Sequence, residues 1–274
     1  MERFERVARA AVGEAGATLL RTWRQAKTIR RKGAVDLVTE TDQAIERAIV
    51  AHLSEAFPDH LVIAEESATS TAAKTERPPR DRYVWYLDPL DGTTNFAHAY
   101  PHFAVSLALA FDTRLVLGIV HDALRGETFV ARDGEGAMLN DVPIGVSSVG
   151  ALDDALLATG FPYDRRENLE AYLGFFADMI RCSQGVRRNG SAALDLCYVA
   201  CGRLDGFWEW KLRPWDTAAG SLIVREAGGI VTDFRGGEFD VFGEQTLASN
   251  GRIHAAMAAT LTARLDATFA GTVA

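Results

Sequence analysis

Phe4, Val7, Ala8, Ala11, Val12, Ala15, Leu19 and Trp23 recur every three or four residues. That period predicts an amphipathic helix over roughly residues 2–26. "RRKGAVDLVTETD" follows as a turn and a short extended piece. Asp42 then opens a second helix with Ile45, Ile49 and Leu53 on one face, and its carboxylate suits the cap position. "HLVIAEES" reads as a short strand ending in two glutamates. "ATSTAAKTERPPRDR" is polar and proline-bearing, hence a loop. "YVWYLD", "FAVSLALAF", "RLVLGIVHD" and "GETFVAR" are apolar runs at short spacing, which predicts an antiparallel meander.

Beyond them, "DALLATG" reads as a strand and residues ~165–182 as a helix. "GSAALDLCYVACG" reads as a helix capped by Ser191, "RLDGFWEW" as a strand, and "WDTAAGSLIVREAGG" as a helix ended by glycines. "GIVTDF" is a last strand before a helix over ~251–268. Mixed blocks without regular βαβ repetition predict an α+β fold whose sheets are covered by helices. We take residues 1–274 as a single domain; a subdomain boundary near 150 fits the blocks, but no linker composition marks it.

With 48% hydrophobic and 24% charged residues, the composition is that of a globular protein. The net charge of −8 argues against a general nucleic-acid or anionic-membrane binder, which needs a basic face. Charges interrupt "MERFERVARAAVGEAGATLLRTW", so no signal peptide is expected. No apolar run approaches the ~18–20 residues of a membrane span. Cys182, Cys197 and Cys201 are expected as packed thiols of a cytoplasmic protein.

The chemistry concentrates in "WYLDPLDGTTNF". Asp88 and Asp91 close a buried-looking strand, three residues apart around Pro89. Across a turn stiffened by Pro89, both can aim at one spot. Bare, they would resist joint ionisation. A hard divalent cation removes the conflict, and oxygen ligands suit Mg²⁺. The Leu90 carbonyl offers a further oxygen. If a helix starts at "DGTTN", the amides of Gly92, Thr93 and Thr94 form an anion site for phosphate. "AEES" adds Glu65 and Glu66, "TETD" adds Glu40 and Asp42, and "PWDTAAG" adds Asp216. Singly, these are solvated glutamates or helix caps. Together they supply carboxylates for two or three Mg²⁺ ions.

"DLVTETD", "AEES", "LDPLDGTTNF" and "PWDTAAGSLIVREAGG" occur in the order found in the inositol monophosphatase family. The resemblance covers about residues 5–265. It implies a layered α/β/α/β/α sandwich, a homodimer, and Mg²⁺-dependent, lithium-sensitive hydrolysis of a phosphate monoester without a covalent intermediate. At matching positions, Glu65, Asp88 and the Leu90 carbonyl resemble ligands of one ion, with Asp88 bridging. Asp91 and Asp216 resemble the remaining ligands of the second. Thr93 and Asp42 resemble the pair that holds and activates the attacking water. Glu66 inherits no role.

Glu209, seven residues before Asp216, resembles the glutamate that accepts hydrogen bonds from substrate hydroxyls. Gly190, Ser191 and Ala192 resemble the small residues lining a polyol site. Asp195 is expected on a helix face or behind the site. Trp208 and Trp210 alternate with Glu209 and so face away from it, as packing or dimer contacts. His98 and His102 are expected as structural or surface residues. Arg187 and Arg188 are a surface pair, steer the substrate phosphate or meet a macromolecular partner. The leading substrate is myo-inositol 1-phosphate. Fructose 1,6-bisphosphate, 3′-phosphoadenosine nucleotides and histidinol phosphate are the alternatives within the superfamily. A regulatory protein binding RNA or the transcription machinery is the alternative outside it.

Overall fold

A computed structural model describes residues 1–25, 29–31, 37–68 and 76–269. Two helices open the chain, α1 (Glu2–Thr22) and α2 (Glu40–Ala56), with a two-stranded pair, β1 (Ile29–Arg31) and β2 (Leu37–Thr39), between them. Part of the predicted loop, residues 69–75, lies outside the described residues, as do 26–28 and 32–36; residues 76–82 carry no helix or strand.

The first sheet runs in chain order: β3 (Leu61–Ala64), β4 (Tyr83–Asp91), β5 (Ala104–Phe111), β6 (Arg114–Asp122), β7 (Glu127–Arg132), β8 (Gly136–Leu139) and β9 (Val142–Pro143). β3 is parallel to β4; every later pair is antiparallel, as the meander predicts. The second sheet has β10 (Leu156–Thr159), β11 (Gly185–Arg187), β12 (Gly206–Trp210), β13 (Ile230–Thr232) and β14 (Gln245–Ser249), in the order β11-β10-β12-β14-β13. The remaining helices are α3 (Thr93–Ala97), α4 (Leu169–Arg181), α5 (Ala192–Ala200), α6 (Pro214–Glu226) and α7 (His254–Phe269).

Three apolar cores set the layers. Ala8, Val12, Leu19, Ile45 and Ile49 of α1 and α2 pack on Trp85, Leu87, Val105 and Leu107 of the first sheet. The alternate residues Val84, Tyr86, Ala104 and Ala108 meet Leu196, Val199, Leu222 and Ile223 of α5 and α6, which also cover Ala158, Phe207 and Ala248 of the second sheet. The outer face of that sheet, with Leu157, Trp208 and Leu247, carries Phe175 and Met179 of α4 and Met257 and Leu261 of α7. The result is an α+β sandwich of five layers, α/β/α/β/α. Because both faces of the first sheet are covered, its strands read as continuous apolar runs. Among the described residues, no helix is long and apolar enough to cross a membrane.

α6 lies very close to β6. A Cβ built on Gly118 would stand 2.8 Å from the Ala219 carbonyl oxygen and 3.1 Å from its Cα. Both are backbone atoms and cannot rotate away. Gly118→Ala is therefore expected to lower stability by ~1–3 kcal/mol, a fall in Tm of about 2–4 °C per kcal/mol for a chain of this size. An unchanged melting temperature would mean that the helix slides at no cost.

Candidate active site

β4 does not end in the expected turn; it continues through Asp91. Asp88 pairs with Ser106 and Asp91 with Ala104, so three steps on β4 oppose two on β5. The extra residue is a β-bulge, at the point where Pro89 removes a ladder donor. In an even strand, residues three apart face opposite sides of the sheet. The bulge turns both carboxylates to one side, into a cavity of about 770 Å³ between the two sheets. Glu65, at the end of β3, and Asp216, in the first turn of α6, face the same cavity, as do Leu90, Gly92, Thr93, Thr94, Gly190, Ser191, Ala192 and Glu209. Glu65, three of the other carboxylates and the loop before α5 thus converge from both sheets and the middle layer.

The four aspartates are held by donors. Asp91 Oδ2 accepts from Ser191 Oγ at 2.6 Å and from the Ala193 amide at 2.7 Å, at the N-terminus of α5. Asp88 Oδ1 accepts from the Leu90 amide at 2.9 Å. Asp216 Oδ2 accepts from the Arg213 amide at 2.7 Å; it sits in the third position of its helix rather than at the cap. Asp42 is likewise not the cap of α2. Thr39 is, and Asp42 returns the contact by accepting from the Thr39 amide at 3.0 Å. That capping box leaves Asp42 Oδ1 free to turn inward, where Thr93 Oγ1 lies 3.0 Å away and also 3.0 Å from the Leu90 carbonyl. Asp42 is buried and reaches the cavity only through Thr93.

The electrostatics show the strain of crowding. Burial pushes the Asp88 carboxyl well above its ordinary range, and Glu65, Asp91 and Asp216 push it further. Asp216 moves up for the same reasons. Burial raises Asp91 to about 6 even though Ser191 and Ala193 pull it down. Such a set of acids fits a cation bound among them. The donors are all oxygen, the preference of hard divalent ions. Among the described residues, no group of three His, Cys, Asp or Glu side chains is close enough to form a metal shell as it stands.

The facing wall of the cavity is built from β12 and two loops. Glu209 lines the cavity, while Trp208 packs into the core on the other face; Trp210 meets Phe175 at 5.4 Å and Phe234 at 5.9 Å but also borders the cavity. A Cβ on Gly160 would fall 2.1 Å from the Glu209 carboxylate, so only glycine lets that carboxylate lie there. Burial pushes Glu209 well up, against the pull of Arg188. Arg188 lines the cavity; Arg187 does not. Asp195 is buried behind the site and accepts from Asn189 Nδ2 at 2.7 Å. His98 is exposed. His102 is buried, and burial lowers it to about 4. Cys197 is buried, with Cys182 and Cys201 half-buried.

The sequence reading missed several residues in or beside the cavity. Beside it, Asn95 of α3 ties that helix to the opposite loop, donating to the carbonyls of His102 at 2.7 Å and Asn189 at 2.9 Å. Asp164, Arg165, Lys211 and Arg213 line the mouth. Charges in loops carry no periodicity, and only the last two stood near a recognised motif.

Relatives match the chain across most of their lengths. An inositol-1-monophosphatase of Synechocystis is 44% identical over 264 residues, covering 96% of this chain and 90% of its own. The protein called Nus factor SuhB in Pseudomonas aeruginosa is 44% identical over 240 residues, 86% of this chain and 87% of its own. The solved inositol monophosphatase of Anabaena (Nostoc) superposes with a TM-score of 0.84 at 38% identity, covering 96% of both chains. Residues 1–266 match the model of one family. The chain belongs to the inositol monophosphatase family, whose members act on phosphorylated substrates and generally depend on metal, and it is a phosphatase.

Proposed function

We propose that the protein hydrolyses the phosphate monoester of a small polyol, with myo-inositol 1-phosphate as its substrate. The observation that carries this reading is one cavity lined both by four clustered carboxylates, Glu65, Asp88, Asp91 and Asp216, and by Glu209. Glu65, Asp88, Asp91, Asp216 and the Leu90 carbonyl would hold two or three Mg²⁺ ions. Bound there, the ions would lower the pKa of water, neutralise phosphate oxygens and stabilise the departing alkoxide.

The chain's own groups do the rest. The attacking water donates to Thr93 Oγ1, whose hydroxyl already points at Asp42 Oδ1 from 3.0 Å; the proton moves along that line. Asp42 suits the task because burial raises its affinity for a proton. The amides of Gly92, Thr93 and Thr94 receive phosphate oxygens. The left-handed φ of 95° at Gly92 turns the chain there without a side chain in the way. Gly190, Ser191 and Ala192 let the ring approach, and Glu209 accepts its hydroxyls. A phosphate-release screen over the four substrate classes, with and without Mg²⁺, tests the reading. Release from a nucleotide or histidinol phosphate well above that from the inositol ester would overturn the substrate.

Glu209→Gln separates recognition from phosphorus chemistry. Hydrogen bonds to charged groups are worth ~1.5–3 kcal/mol, so kcat/KM for inositol 1-phosphate should fall roughly tenfold to a hundredfold. p-Nitrophenyl phosphate, which has no hydroxyls to recognise, should lose far less. Equal losses on both would place Glu209 in the scaffold.

A second reading follows from the SuhB-named relatives, one of which is 44% identical: a homodimer that also contacts the transcription machinery. The net charge of −8 disfavours direct RNA contact. An RNA mobility shift that weakens steeply with salt would reverse that judgement.

A further inference from the structure

Lys211 takes a φ of 61°. The left-handed region strains side chains other than glycine, asparagine and aspartate. Among the described non-glycine residues with positive φ, the others are aspartates, an asparagine and an alanine, and Lys211 alone lines the cavity. Strain of this kind persists where the surroundings fix it, and it gathers at functional sites.

The surroundings here are specific. Lys211 Nζ lies 2.5 Å from Asp164 Oδ2 and 6.0 Å from the centre of the Tyr172 ring. Asp164 also accepts from the Tyr172 hydroxyl at 2.7 Å and from Asn168 Nδ2 at 2.9 Å. Behind it, the Lys211 amide donates to the Glu244 carbonyl at 2.5 Å. Lys211 follows Glu209 by two residues. Asp164 follows Gly160 by four, and Gly160 is the residue the Glu209 carboxylate overlies. The segment between β10 and α4 thus packs closely on Glu209 at Gly160 and is ion-paired to Lys211 at Asp164.

We infer that the Lys211–Asp164 ion pair latches the residue 160–168 segment over Glu209 and so determines which polyol the cavity accepts. The inference rests on Glu209 reading substrate hydroxyls. An isolated, partly exposed pair is worth little; this one acts through what it positions. Phe161, Pro162, Tyr163, Asp164 and Arg165 all face the cavity, so releasing the segment widens the cavity beside Glu209, while Asp88, Asp91 and Asp216 stay held on β4 and α6. Lys211 is a positioning residue, not a catalytic one.

The test compares Lys211→Gly, Asp164→Asn, their double variant and Lys211→Arg. Amide hydrogen exchange over residues 161–168 should quicken about tenfold or more in both single variants. KM for inositol 1-phosphate should rise about five- to twentyfold with kcat within about twofold. The loss in kcat/KM should be at least about five times larger than for p-nitrophenyl phosphate. The double variant should be no worse than either single one, as expected for two ends of one contact, and Lys211→Arg should restore most of the loss. Unchanged exchange, additive losses, or equal losses on both substrates would overturn the latch. Failure of the unaltered protein to hydrolyse the inositol ester would overturn the substrate reading, while exchange would still report on the latch.

Discussion

Asp91→Asn should lose turnover by roughly 10²–10³ or more, the scale set by removing one preorganised charged group, while the fold survives. The side chain's two donors, Ser191 Oγ and the Ala193 amide, can be met equally by an asparagine carbonyl. What changes is the atom toward the cavity: an NH₂ replaces a carboxylate oxygen, and a donor repels the cation an acid would hold. The substitution also removes a charge from a crowded, buried place, so the metal-free variant should melt no lower than the unaltered protein. Measuring kcat at saturating Mg²⁺ beside the melting curve decides the matter. A near-normal kcat would remove Asp91 from the metal site.

Chelation should abolish activity, and Mg²⁺ should restore it. The same acids predict how stability responds. Asp88, Asp91 and Asp216 have folded-state pKa values raised above those of an unfolded chain, with Asp91 at about 6. Each therefore holds its proton more tightly when folded. Its contribution is present below the unfolded value and is lost as pH rises through the folded one. In EDTA, Tm should fall between about pH 4 and pH 7. Mg²⁺ binds the ionised set, so it should raise Tm more at pH 7.5 than at pH 5. Li⁺, small enough for such an oxygen site but singly charged, should inhibit without competing with substrate. Full turnover in EDTA, or a Tm indifferent to Mg²⁺ at pH 7.5, would refute the metal reading.

Much of this was legible in the chain. The periodicity of α1 and α2 and the apolar runs of β4 to β7 follow from burial, which composition expresses directly. The capped start of α5 at Ser191 was readable because one hydroxyl accepts from the Leu194 amide at 3.4 Å. The five layers were not readable by pattern. The middle helices are apolar nearly all round because two sheets cover them, and a sequence does not say which two. β14 escaped notice because "QTLAS" is short and carries buried Thr246 and Ser249. The acids were found through their company, yet the device that aligns Asp88 with Asp91 was misread. A proline between two acids looks like a turn, and only pairing with β5 reveals a bulge. Lys211 was passed over altogether, since a backbone angle leaves no mark in composition.

The two donors that hold Asp91 come from residues 100 and 102 positions further along the chain. That separation has a consequence for the order of events during synthesis. At roughly 5–20 residues per second, Asp88 and Asp91 leave the ribosome on the order of ten seconds before Ser191 and Asp216 exist. The first sheet and its two covering helices can form in that interval from contacts already made. The pair of acids then waits on a half-built molecule, open to water on the side where α5 and α6 will lie. The closing of so long a loop is the slow kind of contact, so hydrolytic competence arrives with the last third of the chain. A nascent or prematurely ended product cut before residue 191 would carry the conspicuous "DPLDGTTN" segment and be inert toward the cell's phosphate esters.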